Sequence, residues 1–308
     1  MVKIAKNIVG TRMQKTKKSY LCRSMSKREF KMNEKAALIL EGGGMRGAFT
    51  AGVLDNLMER KILFPYTIGV SAGACNGLSY MSMQRGRSKY SYTKLMEQYK
   101  YIGLGKLLLS GNIMDFKLLF HTFPERIYPY DYEALASTTR RFEMVTTNCR
   151  TGKACYYDER RDPRRIIEIV KASSSLPFVA PIAYVDGEPM MDGGIADSIP
   201  LLRARSQGFD NNLIVLTRNR GYRKPDKPTH VPFFMYRKYP AVRKAIAERN
   251  AMYNRQIALV EQLEERGEVT VIRPIQPITV DRMERNTDKL LAMYNAGYNC
   301  AADIEFIV

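Results

Sequence analysis

The chain has 308 residues, 45% hydrophobic and 26% charged, which excludes disorder throughout and suits a globular protein with a sizeable core. Five scattered cysteines (Cys22, Cys75, Cys149, Cys155, Cys300) form no C-x-x-C and have no neighbouring histidine, so neither a disulfide framework nor a metal site is expected, and a reducing cytoplasm is the simpler location. The net charge of +18 is segmental: residues 1–31 hold ten Lys and Arg against Glu29, residues 203–249 hold twelve against Asp210, Asp226 and Glu248, and the remainder balances.

From the N-terminus, residues 1–33 read as a basic, mobile or surface-bound segment. It lacks the apolar core of a secretory signal, and no run in the chain reaches the roughly 18 apolar residues of a membrane span. The apolar stretch 36–40, stopped by Gly42-Gly43-Gly44, predicts a buried strand. Phe49, Val53, Leu54, Leu57 and Met58 then recur at helical spacing across 47–60. A second strand is expected over 67–70, turning at Ser71-Ala72-Gly73 into a helix that runs through Gln84. The order β-α-β-α calls for a parallel sheet with helices on both faces. The aromatic-rich stretch 87–141 reads equally as a lid over an apolar site or as helices covering one sheet face. Further strands are predicted at 142–147, 154–157, 182–185 and 213–217, with a helix at 164–173. Toward the C-terminus the pattern predicts a helix over 252–266 closed by Gly267, a strand at 269–272 and a helix at 286–301. With no repeat or linker to divide it, the chain reads as one domain over 34–308 behind the basic segment.

Three glycine-bearing motifs carry chemistry. Gly69-Val70-Ser71-Ala72-Gly73 is a G-x-S-x-G placed where a strand passes into a helix. There a serine is exposed on a sharp turn, small residues make room for it, and helix N-terminal amides face the reacting carbonyl. About 25 residues earlier, Gly42-Gly43-Gly44-Met45-Arg46-Gly47 leaves backbone N–H groups uncovered, as an oxyanion site needs. Arg46 there either orients an anionic headgroup or pins the loop by a salt bridge. The same six residues match G-x-G-x-x-G, but a dinucleotide site wants an acid ending the next strand, where this chain has Gly69-Val70-Ser71, so no cofactor is expected. The third motif, Asp192-Gly193-Gly194, puts a carboxylate on a tight turn. His121 and His230 lack triad-like surroundings, which leaves Asp192 acting directly as general base, with Asp197 as the competing carboxylate.

In this order and spacing the three motifs, with a fourth block Ala172-Ser173-Ser174-Ser175-Leu176-Pro177 and Pro181 after it, resemble the patatin-like phospholipase family, its bacterial branch in particular, over about 36–217. The resemblance implies a three-layer α/β/α sandwich with a mainly parallel central sheet. It also implies a Ser71–Asp192 dyad, an oxyanion hole from Gly42–Gly47 and Ala72, an elbow framed by Gly69 and Gly73, an Asp turn on Gly193 and Gly194, and hydrolysis of lipid or other acyl esters without metal or cofactor. The basic N-terminal segment lies outside it. The two basic segments suggest peripheral contact of a cytoplasmic protein with an anionic membrane. No zinc-finger, RNA-recognition or basic-zipper pattern accompanies them, so no nucleic acid partner is expected. The alternative reading is a membrane-surface binding protein with an inactive hydrolase core, and no oligomeric state follows from the sequence.

Overall fold

The computed structural model describes residues 28–103, 105–106 and 111–307. Most of the basic N-terminal segment, with Cys22, lies outside the described residues. Its last residues form strand β1 (Arg28–Lys31), followed by β2 (Ala36–Leu40), every residue of which is buried. A single 3₁₀ turn (Gly44–Arg46) leads into helix α1 (Gly47–Glu59); β3 (Tyr66–Val70) and α2 (Ala72–Met81) come next. Short helices α3 (Arg87–Tyr92) and α4 (Lys94–Tyr99), a π-helical segment (Leu118–Ile127) and α5 (Tyr132–Ser137) occupy the aromatic-rich stretch. Beyond it lie β4 (Arg141–Asn148), β5 (Ala154–Asp158), α6 (Pro163–Ser173), β6 (Ala183–Val185) and β7 (Glu188–Asp192). The C-terminal part holds α7 (Leu201–Ser206), β8 (Asn211–Val215), α8 (Pro240–Glu265), β9 (Val269–Ile272), α9 (Thr287–Ala302) and β10 (Ile304–Ile307).

The main sheet has the order β6-β7-β4-β3-β2-β8-β9, with β5 also paired to β4. From β4 to β9 the pairings along that path are parallel, while β5, β6 and β7 join antiparallel. A fully buried central strand needs apolar side chains on both faces. In β2 they divide by the two-residue period. Leu38 and Leu40 enter the core shared with Phe49 and Leu54 of α1, Leu78 of α2, Ile169 of α6 and Leu290 of α9. Ala37 and Ile39 enter the other, with Leu201 of α7 and Ile257 and Val260 of α8. Helices thus cover both faces, the three layers expected. A separate parallel pair, β1 with β10, closes over Phe30, Phe64 and Phe306.

The predicted elements of the first half match, with ends shifted by a few residues. The strand expected at 213–217 starts and ends two residues earlier. The helix expected from 252 begins at Pro240, which sits at its first position, where the missing N–H costs nothing. Strands β1, β7 and β10 carry no alternating pattern long enough to be read from sequence.

The basic surplus of 203–249 is not one exposed face. Arg203, Arg205, Arg220, Arg223 and Lys244 are ion-paired, to Glu143, Glu268, Glu264 and Glu265, Glu261 and Glu248 respectively. Arg218, Lys224 and Arg249 instead line an internal cleft. No helix among the described residues is long and apolar enough to cross a membrane.

Candidate active site

The sheet register brings the serine and the aspartate together. β4 pairs with β3 up to Val70–Val145, and its next residue, Thr146, pairs with Asp192 of β7. Because β5 occupies the opposite edge of β4 over the same residues, β3 and β7 must share one edge, running toward each other. Val70 and Asp192 therefore end two strands head to head, and Ser71 is the residue that follows Val70. Both Ser71 and Asp192 line one cleft.

Local chemistry holds each in place. Ser71 has φ 56° and ψ −121°, outside the ordinary regions for a side-chain-bearing residue, the strain expected of a nucleophile elbow. The turn is tight enough that a Cβ at Gly69 would lie 2.6 Å from the Gly73 carbonyl oxygen, and one at Gly73 would lie 2.5 Å from that of Leu40. The serine-rich block before the aspartate ties the two motifs together. The Ser71 N–H donates to the Ser173 hydroxyl at 2.8 Å, and the Asp192 N–H donates to the Ser175 carbonyl at 2.9 Å.

Asp192 is almost wholly buried, at 1% exposure. Its Oδ1 accepts the Gly194 N–H at 2.8 Å, while Oδ2 has no hydrogen-bond partner among the described residues. Asp197 is committed on both oxygens, to the Tyr156 hydroxyl at 2.8 Å and the Gln256 amide at 2.5 Å. His121 pairs with Glu125 and His230 is exposed; neither lines the cleft.

In the glycine loop, the Met45 N–H donates to the Arg282 carbonyl and the Arg46 N–H to that of Gly43. Both amides expected among the oxyanion donors are thus engaged. The N–H groups of Gly42, Gly43 and Gly44 make no such bond among the described residues, and that of Ala72, first in its helix, has no intrahelical acceptor. Gly47 packs against Tyr92 and Ala72 and is a packing residue of the loop, while Gly193 fits against the Val145 backbone. Arg46 is buried, forms no ion pair among the described residues, and has an Nε without acceptor. Among the described residues no salt bridge of Arg46 pins the loop.

Two cavities meet at Ser71, and Gly44 and Leu176 also line both. One, of about 840 Å³, is walled by Tyr92, Tyr101, Leu119, Phe120, Phe123 and Tyr130, so the aromatic-rich stretch forms its wall. Cys75 also faces it as a thiol, its pKa raised by burial. The other, of about 480 Å³, is polar and holds Asp192, Glu41 and five cations, Arg46, Arg218, Lys224, Arg249 and Arg282. Sequence reasoning missed the last four. They come from separate parts of the chain with no shared spacing, and only the basic surplus of 203–249 hinted at three of them.

The model of the patatin-like phospholipase family matches residues 38–205, more than half of the chain and all the motifs above. The chain is a member of the patatin-like phospholipase family. A second model, for a domain of unknown function (DUF6363), matches residues 239–304, from the start of α8 to β10. The uncharacterized protein YjjU of Escherichia coli (strain K12) is 28% identical over 186 residues, 59% of this chain and 51% of that protein. The match thus spans about half the length of this curated relative. The crystal structure of VipD from Legionella pneumophila superposes with a TM-score of 0.50 at 14% identity, covering 88% of this chain and 66% of that one. That likeness concerns the fold.

Proposed function

We propose that this patatin-like protein is a serine hydrolase of phospholipase A or esterase type that cleaves lipid acyl esters with Ser71 and Asp192. The observation that carries the reading is the head-to-head meeting of β3 and β7, which puts a strained serine beside a buried carboxylate with one unpartnered oxygen. The Ser71 hydroxyl attacks the ester carbonyl carbon while Asp192 takes its proton. The resulting oxyanion is held by amides of Gly43, Gly44 and Ala72. Collapse breaks the bond to the alcohol, which leaves with the proton from Asp192. Water, deprotonated by the same carboxylate, then frees the acid and restores Ser71. The apolar cavity suits the acyl chain.

The same reading places the protein in the cytoplasm, in peripheral contact with an anionic membrane surface. In support, Phe233 and Phe234 stand 79% and 63% exposed, with Arg237 and Lys238 close behind them in sequence.

The test is labelling of the purified protein with a fluorophosphonate and mapping of the modified peptide, beside turnover of a panel of acyl esters. Ser71 is expected to carry the label, Ser71→Ala to lose it with all turnover, and Asp192→Asn to slow turnover about 10²- to 10⁴-fold. Folded protein that leaves Ser71 unlabelled in the presence of anionic vesicles, or an Asp192→Asn variant with normal rates, defeats the dyad.

A further inference from the structure

The polar cavity beside Ser71 carries more positive charge than ester hydrolysis requires. Arg218, Lys224, Arg249 and Arg282 face it in addition to Arg46, and none of the five is in an ion pair among the described residues. The cavity's carboxylates, Glu41 and Asp192, attract Arg46, Lys224 and Arg249 but form no contact ion pair with them among the described residues. Glu41 Oε2 accepts the Thr217 N–H at 2.5 Å and its hydroxyl at 3.0 Å. Asp192 is the other, already bonded to Gly194.

The cations are held in place by contacts other than ion pairs. The Arg218 guanidinium lies 4.3 Å from the ring centre of Tyr222, and the Lys224 ammonium 4.2 Å from that of Tyr253. Arg249 Nε gives one bond to the Gly194 carbonyl at 2.8 Å. Arg218 Nε, like Arg46 Nε, is a buried donor without an acceptor. Burial and mutual repulsion act together. Lys224 is pushed down to about 6 by burial and by Arg249 and Arg282, and Arg249 to about 10 by burial and Arg282. Like charges gathered in a cleft where Arg46 is buried and the others are half-buried are costly unless an anion joins them.

We propose that this cavity binds a terminal phosphate monoester on the alcohol part of the acyl ester, so that the enzyme selects phosphate-ended acylglycerols over neutral or choline-headed ones. The proposal rests on the hydrolase reading of Ser71. A phosphate monoester brings two negative charges and several acceptor oxygens, which match guanidinium donors converging from different elements. A choline or ethanolamine group would set another cation among four arginines. A bare glycerol would leave them uncompensated, so both are disfavoured by the site itself. The acyl chain then lies in the apolar cavity on the other side of Ser71, with the ester bond between. Arg249 and Arg282 both fall in residues 239–304, so this stretch completes the substrate site.

The experiment compares kcat/KM of the full chain for 1-oleoylglycerol 3-phosphate, 1-oleoylglycerophosphocholine and 1-oleoylglycerol in one detergent, reading released oleic acid. The phosphate-ended ester is expected to be preferred at least tenfold. Arg218→Gln and Arg282→Gln each cut that preference severalfold, chiefly through KM, and Arg218→Lys restores part of it. Equal rates for the three esters, or a preference unmoved in all variants, overturns the proposal while leaving the hydrolase standing. Inorganic phosphate distinguishes the sources. If it inhibits all three esters alike with no headgroup preference, the site serves free phosphate and the substrate assignment is wrong. If no ester is turned over and Ser71 takes no fluorophosphonate, the hydrolase reading fails instead. Calorimetry of glycerol 3-phosphate on Ser71→Ala protein then decides the anion site. Binding that Arg282→Gln abolishes supports it, and no binding refutes it.

Discussion

Asp192 and Lys224 show how differently single residues in one cleft can be read. The Asp192 turn was legible because the signal was local, an acid before two glycines. Asp192 is preferred to Asp197 as the proposed base because one of its carboxylate oxygens is unbonded among the described residues, while both of Asp197 are bonded. Lys224 was illegible, since its setting depends on Arg249 and Arg282, 25 and 58 residues away in sequence. Its ammonium is held down to about 6 in the folded chain, against an ordinary value of 10.5. Between those values the unfolded chain binds a proton that the folded chain refuses. Lys224 therefore destabilises the fold most below pH 6, and that penalty fades as pH rises toward 10.5. Lys224→Met, which removes the group, is expected to be more stable than the parent near pH 6. Its advantage should shrink with rising pH, by at most about 1.4 kcal/mol per pH unit. Urea midpoints of the two proteins across pH 6 to 9 read this directly, and a constant gap would contradict it.

Elements, rather than residues, set the geometry of the elbow. The β2-turn-α1 and β3-turn-α2 units were readable because apolar strands halted at glycines give way to helical spacing. β7 was not, being five residues whose burial comes from its neighbours rather than from alternation. Its position on the β3 edge of β4 is a tertiary fact, and so is the link from the end of α6. There the Ser173 hydroxyl accepts the elbow N–H, and its side chain is fully buried. Ser173→Ala leaves that amide unpaired, at a cost of about 1–3 kcal/mol. A lower melting temperature with a fall in turnover greater than the loss of folded protein is expected, because the elbow itself loosens. The N-cap of α6 gives a control remote from the site. The Asp162 carboxylate accepts from the Arg164 and Arg165 amides, and Asp162→Ala should cost about 1 kcal/mol with kcat unchanged.

For the whole molecule, the three-layer sandwich was legible, whereas the distribution of charge was not. Composition gave the surplus of 203–249 but not its partition among ion pairs, the cleft and the remaining surface. Pairing partners such as Glu143 and Glu261 lie far away in sequence. The proposed membrane contact draws on the exposed pair Phe233 and Phe234, together with the basic residues that precede β1. Vesicle pelleting separates the two contributions. Phe233→Ser/Phe234→Ser is expected to reduce binding by a similar factor at low and high salt, whereas removal of residues 1–27 should weaken it mainly at low salt. Unchanged pelleting of the double variant would exclude the aromatic pair.

The pairing of β1 with β10 sets a timetable for synthesis. Arg28 faces Ile304, so the first described strand is made 276 residues before its partner. At about 5–20 residues per second it waits roughly 14–55 s on the ribosome with its edge open. The elbow strands β2, β3 and β4 can meet much sooner. Arg249 and Arg282 emerge late, so a nascent chain can assemble the serine turn well before the cationic side of the cleft exists.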